Sequence, residues 1–360
     1  MIIRTRADAR VGIIGNPSDG FFGKTIAATI ANFHASVTLW ESPTLRILPH
    51  PVHDPAEFAS LEALRETAIQ NGYYGGMRLI FAACKRFSQH CADLGYRLPG
   101  RCFTITYDTD IPRQVGLAGS SAIVTAAVNA LMRFYAVPED ALPRTQRPNL
   151  VLDVEMQELA IAAGLQDRVV QTYGGCVHMD FDRALMERRG YGDYTPLDPS
   201  LLPLMYLAWD SHPSDSGRIH SDVRTRFQRG DQQVIDAMQA LAQLTDQGLA
   251  ALKAGRYAEM GRLMSAGFDI RRSVYGDAAI GDRNLAMVAA ARKLGFSASF
   301  PGSGGAVVGV VPEGSTISDL APECEGIGYQ LEEIRWAAPC PASPHAGHAP
   351  VDTAVEGSVL

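Results

Sequence analysis

The chain has little with which to cross a membrane or to hold a polyanion. None of its 360 residues falls in an uninterrupted apolar run of the ~18 residues that a spanning helix needs. The start, Met1-Ile-Ile-Arg-Thr-Arg6, lacks the apolar segment of a signal peptide. Lys and Arg together number 32 against 39 Asp and Glu, a formal charge of -7, and the arginines are scattered. Neither nucleic acid nor a membrane is therefore an expected partner. The six cysteines (Cys84, Cys91, Cys102, Cys176, Cys324, Cys340) include no Cys-x-x-Cys pair and no ordered spacing with histidine. That argues against a zinc site and a disulfide scaffold, and predicts reduced thiols in a cytoplasmic protein. No Gly-x-Gly-x-x-Gly follows a strand with an acidic residue at the distance a dinucleotide site requires.

What is present describes an ordered globular protein, 46% hydrophobic and 20% charged, too long for one ordinary domain. Residues 10–14 read as a short strand entering the turn-rich Gly15-Asn-Pro-Ser-Asp-Gly20, and 25–30 and 36–39 resume strand composition. Residues 55–94 have helical spacing, with Leu61, Leu64, Ala68, Leu79, Phe81, Ala82 and Phe87 expected on buried faces. Residues 102–107 read as strand, 120–135 as helix, 150–163 as a helix ended by Gly164, and 173–181 and 204–209 as strands. Met179-Asp-Phe181 is expected in the core. Helices follow over 231–253, 256–268 and 287–294, then a glycine loop and a strand to residue 311. Two intertwined α+β halves fit this order, the boundary falling between residues 150 and 204. The Pro-, Ala-, Gly-, Ser- and His-rich residues 339–360 have little to bury and are expected to be disordered.

The most informative stretch is Pro112-Arg-Gln-Val-Gly-Leu-Ala-Gly-Ser-Ser-Ala122, followed at once by an apolar helical run. A glycine-rich turn opening a helix offers unpaired N–H groups and the positive end of the helix dipole to a phosphate. It contains no Lys and so is not a P-loop. The two serines could cap the helix, hold a phosphate oxygen or face a magnesium ion. Residues 15–23 and 302–305 are also dense in glycine and small polar residues, as ordinary loops often are. Between the second and third segments stand Glu158 and Asp167. Magnesium-assisted phosphoryl transfer uses such a pair, one carboxylate for the metal and one beside the accepting hydroxyl; a solvated Glu and a helix-terminal Asp would look the same.

Taken in order, Arg10-Val-Gly-Ile-Ile-Gly-Asn-Pro-Ser-Asp19, Pro-x-x-x-Gly-Leu-Ala-Gly-Ser-Ser-Ala, Gly164-Leu-Gln-Asp167 and Gly302-Ser-Gly-Gly305 resemble the GHMP kinase superfamily of galacto-, homoserine, mevalonate and phosphomevalonate kinases. Ala118 is one residue more than the usual central motif. That departure, with Gly15-Asn-Pro-Ser-Asp19, Ala162 to Gly175 and Ser216 to Arg226, most resembles the glucuronokinase subgroup. The resemblance implies a two-domain α+β fold: a ribosomal-protein-S5-like domain over residues 1–200 and a ferredoxin-like domain over 201–338. It implies ATP, Mg2+ and a sugar or sugar acid, with galacturonate, arabinose or a heptose as alternatives to glucuronate and a catalytically silent sensor as the alternative to an enzyme. Monomer and homodimer both stay open.

By position, it implies that Gly116, Leu117, Ala118, Gly119, Ser120, Ser121 and Ala122 wrap the ATP phosphates, with Ser120 or Ser121 near the metal. Glu158 would be the second metal group and Glu155 its competitor. Asp167 would be the catalytic carboxylate and Arg10 its basic neighbour, which is always charged and so cannot itself be a base. Asn16, Ser18 and Asp19 would meet the sugar; Gly174, Gly302, Ser303, Gly304 and Gly305 would line the substrate or the phosphates. A uronate also needs a cation, for which Lys24, Arg168, Arg218 and Arg224 are the candidates.

Overall fold

A computed structural model of the chain describes residues 1–71, 75–211 and 220–341. Two strands much longer than the composition suggested, β1 (Ile2–Ile14) and β2 (Lys24–Glu41), form an antiparallel ribbon. Along β1, Ile3, Thr5 and Ala7 alternate with exposed neighbours, and residues 9–14 are buried throughout. The alternation marks a one-sided sheet region, and the buried run one covered on both faces. The polar residues Asn32 and His34 hide the continuity of β2. They fall where the register jumps between Asp8↔His34 and Ala9↔Ile30, a bulge of three residues.

The other edge of β2 is shared. After β3 (Arg46–Ile47) and the helices α1 (Leu61–Asn71) and α2 (Gly76–Asp93), strand β4 (Phe103–Thr109) pairs with residues 35–41; β5 (Cys176–Asp180) pairs with residues 24–28. The gap between them is filled by the C-terminal segment: Ala31 donates to Arg335 O at 2.6 Å, Ala337 to Thr29 O at 3.0 Å, and Asn32 is satisfied by Glu332, Glu333 and Arg335. The six-stranded sheet runs β3-β4-β2-β5-β6, with β6 spanning Asp193–Leu197 and β1 paired to β2. Helix α3 (Gly119–Tyr135) is buried against β1, β2 and α2. A second, antiparallel sheet, β8-β7-β9, comprises β7 (Met205–Asp210), β8 (Ala306–Val310) and β9 (Tyr329–Glu333). One core cluster joins Phe87, Phe103 and Leu131 to Met205, Leu207, Met264 and Val308.

Three expectations need correction. Leu61 (81% exposed), Leu64 and Phe81 (58%) face outward, and α2 buries Leu79, Ile80, Ala83 and Phe87 instead. Residues 150–163 are not one helix. Helix α4 (Arg147–Asp153) widens into a π-type turn over Val154–Glu158 and opens at Ala160, whose φ is +55°. Gly164, in extended backbone, starts α5 (Leu165–Tyr173) rather than ending a helix. Finally, Pro339 bridges to Gly174 and Cys340 donates to Tyr173 O at 2.8 Å, so the tail is ordered at its start; residues 342–360 lie outside the described residues.

Candidate active site

β4 delivers the chain to the glycine turn, where Gly116 (φ +72°) and Ala118 (φ +63°) take left-handed backbone. They lead the chain into α3, whose N-terminus has no side-chain cap, which leaves its first N–H groups for an anion. The serines then part. Ser121 is fully buried and donates to Gln171 Oε1 at 2.7 Å, which locks α3 to α5, whereas Ser120 donates to Glu155 Oε1 at 2.6 Å. Glu155 is fully buried in the π-type turn, and its other oxygen is paired with Arg168. Glu158 lies on the far side of that turn against Lys85. Of the serine and carboxylate pairs expected at a metal, the structure brings together Ser120 and Glu155, not Ser121 and Glu158.

Asp167 sits in the first turn of α5, where the helix dipole favours a carboxylate. Arg10, 4% exposed on β1, reaches it from Nε to Oδ1 at 2.5 Å and donates from Nη1 to Gly116 O at 2.5 Å. One guanidinium thus ties the carboxylate to the phosphate turn. Arg168 reaches the second oxygen of Asp167 at 3.2 Å. Burial works to raise the Asp167 carboxyl, but the charges of Arg10 and Arg168 outweigh it and hold the group below its ordinary range. It is an anion at neutral pH.

Asp19 differs. Burial, then the nearby charge of Asp167, push its carboxyl up to about 6, although it accepts the Gln166 N–H at 3.1 Å. A carboxyl whose folded value lies above its unfolded one costs stability only as pH rises, here between about 3.8 and about 6. Asp19→Asn, which can still accept from Gln166, should therefore raise the melting temperature at about pH 7.5 and progressively less as the pH is lowered through that window. A gain independent of pH would contradict the assignment.

The third glycine segment closes over the second. Pro301 O accepts from Gly12 N at 2.8 Å, and Gly302 lies so near Gly116 that a Cβ there would stand 2.1 Å from Gly116 O. Asn16 Oδ1 and the carbonyls of Gly302 and Ser303 accept from Arg271 at 3.2, 2.7 and 3.3 Å. Gly304 and Gly305, both with positive φ, complete the turn, Gly305 against Gln114 and Val115.

Other expected residues are already engaged or lie elsewhere. Ser18 spends its hydroxyl on Lys24 O, and Lys24 is paired with Asp246 and Asp180. Gly174 packs on Cys340, seven residues and so roughly 10 Å along α5 from Asp167. Arg168 is engaged by Glu155 and Asp167; Arg224 touches Ala163 O at 3.4 Å; Arg218 lies outside the described residues.

Arg271, Gln171 and the inward turn of Glu155 were missed, and for Arg271 a signal existed. Helices α6 (Arg183–Arg189), α7 (His220–Gln228) and α8 (Gln232–Lys253) are followed by α9 (Tyr257–Tyr275). Along α9, Met260, Met264, Phe268, Arg271 and Val274 form one buried stripe at helical spacing, with a charge in an otherwise apolar row.

Residues 78–175 match the GHMP kinases N terminal domain. The chain is 48% identical over 340 residues to Glucuronokinase 1 of Arabidopsis thaliana, covering 94% of this chain and 93% of that protein. To Probable glucuronokinase 2 of the same organism it is 47% identical, covering 93% and 91%. In fold it resembles Lactococcus lactis galactokinase complexed with galactose, with a TM-score of 0.70 at 14% identity over 94% of each chain. The chain belongs to the GHMP kinases, and within them it is glucuronokinase-like.

Proposed function

We propose that the protein transfers the γ-phosphoryl group of ATP to the anomeric hydroxyl of D-glucuronate, yielding glucuronate 1-phosphate and ADP. The observation that carries this reading is the tie from Asp167 through Arg10 to Gly116 O, which fixes a carboxylate anion beside the turn that would hold the phosphates. The α3 N-terminus would receive the phosphate oxygens. Asp167 orients the anomeric hydroxyl and takes its proton as that oxygen bonds to the γ-phosphorus and the bond to the ADP bridging oxygen breaks. Its depressed pKa makes it a weak base, which suffices because an anomeric hydroxyl is more acidic than an ordinary alcohol and phosphoryl transfer is largely a matter of positioning and charge. Arg10 steadies the nucleophilic oxygen as charge develops.

Ser120 Oγ and Glu155 Oε1 form a hard oxygen pair suited to Mg2+, together with phosphate oxygens. When bound, the ion would neutralise charge on the β- and γ-phosphates. Glu155→Gln should raise the Mg2+ concentration for half-maximal rate by about tenfold or more, and Glu158→Gln should leave it within about twofold. The reverse order would return the role to Glu158.

In this reading residues 1–200, which hold the whole six-stranded sheet, and 201–338, which hold the three-stranded one, are the two domains. Six free cysteines suit the reducing cytoplasm. The test is ADP release with MgATP across glucuronate, galacturonate, galactose and arabinose. Turnover on glucuronate alone is expected; turnover on a neutral sugar instead would keep the kinase and discard the acceptor.

A further inference from the structure

Arg10, Arg147, Arg168 and Arg271 are the fully buried arginines among the described residues, each at most 4% exposed. Three have carboxylate partners: Asp167, Glu139 and Glu155. Arg271, 2% exposed, has no carboxylate partner among the described residues. Its guanidinium is held by three neutral oxygens, from Asn16, Gly302 and Ser303, and lies 5.1 Å from the Phe300 ring centroid. Its Nε has no hydrogen-bond partner among the described residues. A buried guanidinium whose hydrogen bonds, among the described residues, all go to neutral oxygens is a costly arrangement that an anion would relieve. Burial, the largest influence on it, accordingly lowers its proton affinity.

The surroundings say where that anion would come from. Asn16 and Asp19 are positions that the resemblance assigns to the sugar, and the charges of Asp19 and Arg10 both act on Arg271. Gly302 O binds Arg271, and the Cα of the same glycine faces the Arg10 guanidinium that holds Asp167. Asp167 and Arg271 are thus linked through the Arg10 guanidinium and the Gly302 peptide, which places both at the same turn. Gln166, 1% exposed beside Gly12, also has an amide oxygen with no hydrogen-bond partner among the described residues.

We propose that Arg271 is the residue that selects a uronate: its guanidinium binds the substrate carboxylate at the end of the sugar opposite the hydroxyl held by Asp167. This rests on the acceptor reading above and deepens it. Of the cations first considered, Lys24 and Arg168 already neutralise protein carboxylates, and Arg224, which touches Ala163 O at 3.4 Å, is only half-buried, so Arg271 differs from the first two by partnership and from Arg224 by burial. Arginine suits the role because its planar fork can meet both carboxylate oxygens, which a lysine cannot do.

The experiment compares glucuronate with glucuronamide, its neutral analogue, in the full chain and in Arg271→Gln and Arg271→Lys. The unmodified protein should favour glucuronate in kcat/KM by about 100-fold or more. In Arg271→Gln the preference should collapse to within about threefold through KM for glucuronate, with KM for ATP little changed. Arg271→Lys, which keeps the charge should the Gln variant not fold, should retain a preference reduced by about tenfold. A preference unchanged in either variant, with glucuronate still turned over, overturns the role of Arg271 alone. A parallel loss of ATP and both acceptors would make Arg271 a mere pin for the Gly302 turn and also overturn it. An unmodified protein that uses both acceptors equally, or neither, overturns the acceptor reading and this proposal with it.

Discussion

Asp167→Asn is expected to lower kcat by about a thousandfold or more while leaving ATP affinity within severalfold. Asparagine keeps the shape of the side chain and an oxygen that can accept from Arg10 Nε, so the tie to Gly116 O and the phosphate turn should persist. What disappears is the negative charge and the ability to take a proton, both of which matter only as the acceptor oxygen attacks. Single-turnover rates with saturating MgATP, beside calorimetric nucleotide binding, separate the two effects. A kcat within tenfold of normal would remove Asp167 from its role; loss of nucleotide binding would show that the carboxylate charge holds the turn. Because Asp167 is held below the ordinary carboxyl range, it should not produce a kinetic pH limb near neutrality. A fall in kcat/KM near pH 6 would belong to Asp19, whose carboxyl lies at about 6, and should vanish in Asp19→Asn.

The parts of this site that were legible in the sequence are those whose geometry is local. A glycine turn feeding an apolar helical run specifies its own conformation, so residues 116–122 could be placed from spacing alone, and the helix begins at Gly119. Arg10 and Asp167 lie 157 residues apart, and only their resemblance to a known pattern joined them. Glu155 and Glu158 show where periodicity misleads. On an unbroken helix, positions three apart share a face; the wide turn at Val154–Glu158 turns one carboxylate toward Ser120 and the other toward Lys85. The continuity of β2 was illegible for a different reason. Its central polar residues are satisfied by a segment some 300 positions later in the chain, Asn32 with Glu332 to Arg335. Arg271 differs from its neighbour Arg272 only in helical phase: Arg272 pairs with Asp277 at the surface, and Arg271 turns into the buried stripe.

The joint between the two glycine segments leads to the second large effect. Gly302→Ala should reduce kcat/KM for both ATP and the sugar acid by about a thousandfold or more. The new methyl would stand 2.1 Å from Gly116 O and 2.9 Å from both terminal nitrogens of Arg10. A flexible side chain could swing away, but a backbone carbonyl in a turn with φ of +72° cannot do so cheaply. If the 302 turn retreats, the bonds from Gly12 to Pro301 O and from Arg271 to Gly302 O are lost. If the 116 turn retreats, Arg10 loses its carbonyl partner and Asp167 its orientation. Either movement disturbs the phosphate turn, the reacting carboxylate and the acceptor side together, which is why one methyl should affect both substrates. Gly326→Ala is the matched control: nothing lies within 4 Å of a Cβ there, and the residue sits in helix α12 (Ala321–Ile327), after α10 (Asp277–Ile280) and α11 (Asp282–Lys293). That change should leave the rate unaltered and stabilise the helix by up to about 1 kcal/mol. ADP release and thermal melting on the two variants provide the comparison. A Gly302→Ala protein with near-normal kcat/KM would mean that the two turns need not touch for phosphoryl transfer, and the close approach of residues 116 and 302 would then be packing rather than part of the site.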